Sequence, residues 1–518
     1  MKEIIRLIHT RAAALARNPL FTQWLENDAI PLSDKFIFSP MAIDFVMGFR
    51  DFNRYFVSYP SPQNALEEAL NTHAREDETH SALFLQDWSQ LGMDERLSWA
   101  PGELYWWQTC EQMEDSRRVD FELARLVWHH PDPLVRFAII ESMEAAGTVF
   151  FKRTAPLAAE LGARTATALP YFGHYHLERE TGHLQHADER PFYEAPLSPT
   201  QREAARRGVE EVFKIFEFHF TAWERLARAI HEGRWGYRPS VAGQERARLW
   251  PVRPPNVSAF MSLEYPRDLA GAGAELSRLR LQCVQELFQT DFCAWIRAAP
   301  VGDYRRVAGQ VMLQWVVDNW ACADYFTFDT TYPEPKSPLE RGINRLSTLY
   351  ASEMNRRYVE WNILGIDEAT GWKGVEALYH YWLDERIQPM RAIFADLRKL
   401  TFRYPKPLHR YWILKCFVRF GDALVNSLGV ALRNSGEPEE NFPGLAGCPE
   451  RMHPDLPLDP EADEAIAQLE RQPLEPEDME ILRTIIVELK AQEARRLAAG
   501  WRFVQTDRHH DVKMKALA

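Results

Sequence analysis

Apolar positions recur every three or four residues along most of this chain. The clearest segments are AIDFVMGFRDFNRYFV (42–57), NALEEALNTHAREDETHSALFLQDW (64–88) and EEVFKIFEFHFTAWERLARAI (210–230). That period places apolar side chains on one stripe of an α-helix. Strict alternation and the Asn-Gly turns that join hairpin strands are missing from these segments. The pattern predicts an all-α protein. The first residues, MKEIIRLIHTRAAALARNPLF, carry the same helical period and no continuous apolar core, so they read as a folded first helix rather than a targeting peptide. No apolar run approaches the roughly 20 residues that a membrane helix needs.

Two polar, proline-containing breaks divide the pattern. GYRPSVAGQERARLWPVRPPN (236–256) reads as a linker between two helical halves. RNSGEPEENFPGLAGCPERMHPDLPLDPEAD (433–463) reads as a second break, followed by one amphipathic helix, EDMEILRTIIVELKAQEARRL (477–497), and a frayed tail, RHHDVKMKALA. The expected units are residues 1–235, a linker at 236–256, a second helical domain at 257–440 and a C-terminal extension at 441–518. The two halves share short matches. SYP (58–60) is followed 31 residues after its proline by LGMDE (91–95), and TYP (331–333) at the same interval by LGIDE (364–368). MAIDFVMGFRDFNRYF and VMLQWVVDNWACADYF precede them, which suggests a duplicated helical unit.

Composition narrows the function classes. The 518 residues carry a formal net charge of −13, with 46% hydrophobic and 26% charged residues. Such an acidic chain repels phosphate backbones, so nucleic acid is not an expected partner. None of the six cysteines form a CxxC pair, which argues against a zinc knuckle or a disulfide framework and fits a reducing cytoplasm. The seventeen Trp and twenty-nine Phe fit broad aromatic helix interfaces.

The candidate chemistry lies in HAREDETH (73–80). His73, Asp77 and His80 stand at i, i+4 and i+7, with Glu76 beside them. On one straight helix they form a stripe about 60° wide. HLERETGH (176–183) repeats the grammar: His176, Glu180 and His183 match the spacing of His73, Asp77 and His80. Two helices with matching stripes can aim four to six nitrogen and oxygen donors at one place, as iron, manganese or zinc requires. Acids in otherwise apolar helices add to the set. Asp44 lies in SPMAIDFVMGF with Asp51 two turns later, and Glu141 and Glu144 lie in FAIIESMEAAGTVFF. A lone buried acid is costly unless it is paired or bound. Asp51 can equally pair with Arg50 or Arg54, and His174 and His186 read as ordinary surface or outer groups. At the duplication offset, His73, Asp77 and His80 fall on Leu346, Tyr350 and Glu353, so the second half carries no copy of the motif.

These residues resemble the haem-oxygenase-like diiron oxidases and oxygenases, over roughly residues 30 to 230. The H-x3-[DE]-x2-H set at 176–183 is the most specific part of the likeness. The resemblance implies a haem-oxygenase-like helical bundle in residues 1–235, a degenerate second copy, and two iron ions that activate O2. It implies Asp44, Asp77, His80, Glu144, His176, Glu180 and His183 as ligands, with Glu144 or Glu141 the catalytic glutamate on a mobile helix. His73, Glu76 and Asp51 are further candidates. The expected reaction is oxidation of a small amine, amino-acid-like or fatty-acid-like substrate by N-oxygenation, hydroxylation or C–C cleavage. An electron donor is required, and a homodimer is compatible with the pattern. Neither a membrane nor nucleic acid is an expected partner. Two other classes stay open: a non-catalytic helical binding or scaffold protein, and a haem-handling protein.

Overall fold

The structure, a computed structural model, describes residues 1–99, 101–109, 113–183, 190–234, 272–298, 337–344, 346–347, 370–434, 436 and 459–507. Among these residues every regular element is a helix, as the period predicts. No described helix is long and apolar enough to cross a membrane. The linker at 236–256, the matches at 311–333 and 364–368 and the tail lie outside the described residues.

The first bundle is built from α1 (Lys2–Leu15), α2 (Ser39–Phe52), α3 (Ala65–Asp77), α4 (His80–Gln90), short α5 (Met93–Leu97), α6 (Pro101–Thr109), α7 (Glu114–His129), α8 (Pro133–Thr165), α9 (His174–His183), short α10 (Arg190–Glu194) and α11 (Pro199–His231). Its starts follow capping chemistry. Asn64 accepts the Leu66 and Glu67 N–H groups at the head of α3, and Asp132 accepts those of Leu134 and Val135 before Pro133 opens α8. Ser198 and Gln201 form a reciprocal capping box on α11. The two 33-residue helices, α8 and α11, pack on each other and on α1, and α8 also carries α9 and α3 on its flanks. Gly208 permits the close approach of α11 to α8: a Cβ there would stand 2.9 Å from the Ile139 side chain. Two segments leave α-geometry for π-turns, Leu20–Leu25 and Asn53–Val57, the second extending α2.

The segment 64–88 departs from expectation. The single helix read from its period is two, α3 and α4, broken at Glu78 and Thr79 inside HAREDETH. The break is set by bonds within the segment and to its packing neighbours. Glu78 is drawn sideways into an ion pair with Arg54. Thr79 Oγ1 bonds back to the Glu76 carbonyl at 3.1 Å. Ser81 Oγ then donates to the Val46 carbonyl at 2.8 Å and seats α4 on α2.

The second bundle contains α12 (Ala272–Phe288), α13 (Asp291–Ala298), α14 (Gly374–Trp382), α15 (Gln388–Arg403), α16 (Pro407–Asn434), α17 (Pro460–Arg471) and α18 (Pro476–Asp507). The C-terminal extension thus has two helices where one was expected, and α18 packs against α12, α13, α15 and α16. One apolar core runs through both bundles.

The bundles meet through α14 and α15. Arg391 and Arg398, seven residues apart on one face of α15, reach Asp51 on α2 and Asp120 on α7. Arg391 Nε and Nη2 lie 2.6 and 2.5 Å from Asp51 Oδ2. Arg50 pairs with Glu385 and donates to the Leu383 carbonyl at 3.1 Å. Tyr105 Oη donates to the Ala377 carbonyl at 2.7 Å, and Trp382 Nε1 to Gln108 Oε1 at 2.9 Å. Gly48 leaves room for the Trp382 ring, which a Cβ there would approach to 3.4 Å.

Candidate metal centre

Four helices of the first bundle deliver the candidate residues. From α3 and α8, His73, Asp77 and Glu144 bring ligand-type atoms within 4.8 Å of one another. His73 Nε2 lies 3.2 Å from Asp77 Oδ2 and 3.5 Å from Glu144 Oε1. From α4 and α9, the rings of His80 and His176 meet with centroids 4.3 Å apart. Asp77, His80, Glu144 and His176 are all buried. The break at Glu78–Thr79 therefore divides HAREDETH between two tasks. His73 and Asp77 face Glu144, and His80 faces His176.

His176 is held from behind. Its Nδ1 donates to the Tyr171 carbonyl at 3.0 Å. Phe151 and Tyr171 pack against the ring at 4.0 and 4.8 Å between centroids. Burial, with His80 beside it, holds the imidazole well below its ordinary pKa and keeps it neutral. With the proton on Nδ1, the lone pair is on Nε2, the arrangement a metal-binding histidine uses. The Tyr171 peptide is itself clamped. Asp87 on α4 accepts the N–H groups of Tyr171 and Phe172 at 3.2 and 2.8 Å. Burial pushes the Asp87 carboxyl up to about 8, against the pull of those two bonds. Asp87 thereby fixes the distance between the helix bearing His80 and the loop that orients His176.

The remaining candidates separate. Glu141, one turn before Glu144, is buried and accepts the Tyr193 hydroxyl of α10 at 3.1 Å. Asp44 is half-buried on α2, beside Phe45 and Val46 in the wall described below, and is not in the trio. Glu76 is half-buried on α3. Glu180 and His183 belong to α9, but their side chains lie outside the described residues, as does His186. Asp51 is corrected: its carboxylate is engaged by Arg391 from the second bundle, not by Arg50 or Arg54, and serves the interface. Sequence reasoning missed Asp87 and Tyr171. Asp87 had the signal used for Asp44, an acid within an apolar helix (SALFLQDW). Tyr171 acts through its backbone, which leaves no trace in side-chain spacing.

The donor set fits a metal ion. His73, Asp77 and Glu144 cluster, and the His80–His176 pair lines the pocket with Glu144; imidazole and carboxylate together suit iron or manganese and also zinc. Beside them opens a pocket that His80, Glu144 and His176 line. No protein-family model matches the chain, and no curated protein matches it.

Proposed function

We propose that this chain is a non-haem diiron oxidoreductase with a haem-oxygenase-like first bundle, which uses O2 to oxidise a small organic substrate. The observation that carries the reading is the cluster of His73, Asp77 and Glu144 from two helices, with the His80–His176 pair from two more lining the same pocket as Glu144. Asp44, Glu180 and His183 complete the proposed ligand set. Iron bound there would supply the reduction of O2 and the oxidising power passed to substrate.

The chain's own residues have definite work in this reading. Asp77 and Glu144 offset cationic charge inside a dry bundle, where an uncompensated charge is expensive. The Tyr171 carbonyl holds His176 in the Nδ1–H tautomer and aims Nε2. Phe151 and Tyr171 shield that imidazole from water. Glu141 ties α10 to α8 through Tyr193, one turn from Glu144.

The test is anaerobic loading with Fe(II), counting of bound iron, and exposure to O2 with a reductant. The expected result is two irons per chain and O2 uptake that Glu144→Ala and His176→Ala abolish while the helical circular dichroism stays. Iron no higher than in these variants would sink the reading. A protein that binds haem with a Soret band, and takes no Fe(II), would replace it with the haem-handling reading.

A further inference from the structure

The pocket beside the centre has a chemical character of its own. Its walls come from α2, α8, α11 and the loop before α9, and they are aromatic: Phe45, Phe49, Phe150, Phe216, Phe220 and Trp223. Phe150 stacks on Phe220 at 5.6 Å, and Trp223 meets both rings edge-on at 5.4 Å, so these walls are packed against one another. The imidazole and carboxylate lining is His80, Glu144 and His176, and the two imidazoles meet at 4.3 Å between centroids. No lysine or arginine lines it among the described residues, and Glu144 is its one acid.

The layer behind the wall is uncharged too. His219 on α11 is completely buried, with its ring 5.3 Å from Phe45 and 4.7 Å from Trp223. Neither of its nitrogens has a hydrogen-bond partner among the described residues. Desolvation lowers its pKa to about 3, so it is neutral at any ordinary pH.

A charged group carried away from the centre into this space would lose its water and, among the described lining residues, meet no counter-charge. An alkyl or aryl group gains by displacing water from aromatic walls. We infer that the substrate presents its reacting end to His80, Glu144 and His176 and lodges an uncharged apolar body, an alkyl chain or an aryl group, among Phe45, Phe49, Phe150, Phe216, Phe220 and Trp223. This rests on the metal-centre reading for which end reacts, and on the pocket alone for what the body is. It selects an apolar chain over an amino-acid-like zwitterion among the substrates the sequence leaves open. Gly147, on α8 between Glu144 and Phe150, lines the same space and keeps it open by having no side chain.

The experiment is isothermal titration of metal-free protein with 1-octanol, octanoate and lysine. The expected result is binding of 1-octanol and of octanoate, each with its polar head at the centre, and none of lysine. Gly147→Leu should weaken 1-octanol at least tenfold by filling the space. Should that variant fail to fold, Phe49→Ala at a half-buried wall position should instead shift preference toward 1-decanol by threefold or more. Lysine equal to 1-octanol, or 1-octanol binding indifferent to both variants, would overturn the inference. The metal reading is judged separately by iron content. Octanol binding without iron binding keeps the pocket and loses the centre, and iron binding without octanol binding does the reverse.

Discussion

Both bundles bury acids that arginines hold, Glu122 and Glu224 in the first among them, but the acids of the candidate centre keep different company. Where the second bundle and its interface bury an acid, an arginine reaches it. Asp384 is held well below the usual carboxylate range: burial opposes this, and His380 and Arg386 overcome it. Asp51 and Asp120 take Arg391 and Arg398, and Glu493 has Arg496 at 3.3 Å. In the first bundle, Asp77 and Glu144 are grouped with His73, and two more imidazoles stand close by. An arginine fixes a carboxylate's charge permanently and spends its lone pairs. A neutral imidazole leaves a carboxylate able to bind a cation. Buried acids with arginine thus read as struts, and buried acids with histidine as ligands.

The comparison can be broken by substitution. The largest effect should come from Asp77→Ala or His176→Ala, which should abolish metal retention after gel filtration while leaving the melting temperature of metal-free protein unchanged or higher. A fall in stability without a change in metal content would move these residues to the strut class. Next comes His219. Its folded-state pKa lies below its unfolded one, so the unfolded chain binds the extra proton between about pH 6.5 and 3. Stability should therefore be lost as pH falls through that window, by up to about 5 kcal/mol from this one residue. His219→Leu should flatten that part of the profile in urea melts, and an unchanged profile would refute the assignment.

Arg391→Ala should cost about 3–5 kcal/mol in denaturant unfolding, because Asp51 stays buried with its charge uncompensated. Arg391→Ala with Asp51→Asn should recover part of that loss, and neither change should empty the metal centre. Asp87→Ala leaves two buried N–H groups without an acceptor, at about 1–3 kcal/mol. It should also weaken metal binding about 10- to 100-fold by releasing the Tyr171 loop. Loss of stability with full metal affinity would reduce Asp87 to a strut. At the bottom of the scale, Arg206→Ala on the exposed face of α11 should leave both melting and metal content where they are.

Much of this was legible from spacing. The helical period placed α2, α11 and α18, though α11 starts at Pro199 rather than 210 and α18 runs to Asp507 rather than 497, and the i, i+4 pair His73–Asp77 does meet at 3.2 Å. The sequence motif placed His80 on the same stripe, but Thr79 and Glu78 make bonds that end the helix there, and tertiary contacts with Arg54 and Val46 turn the chain. Period alone does not register a break that side chains from another helix impose. The fate of Asp51 was equally hidden, since its partner lies 340 residues away. Asp44 and Asp51 look alike in an apolar helix, and only the arrival of Arg391 tells them apart. The pocket was unreadable for a different reason: its phenylalanines have the same period as core residues, and a wall differs from a core only in what stands opposite.

The Arg391–Asp51 pair also has a meaning in time. A ribosome adding roughly 5–20 residues per second makes Asp51 about 17 to 68 s before its arginine exists. Throughout that interval α2, the helix that carries Asp44 and part of the pocket wall, has an acid on the face that Trp382 and Arg391 will later cover. A nascent first bundle therefore matures its outer face only when residues 374–403 emerge. A polypeptide ending before residue 374 would keep Asp51 without its arginine until the second half is supplied in trans.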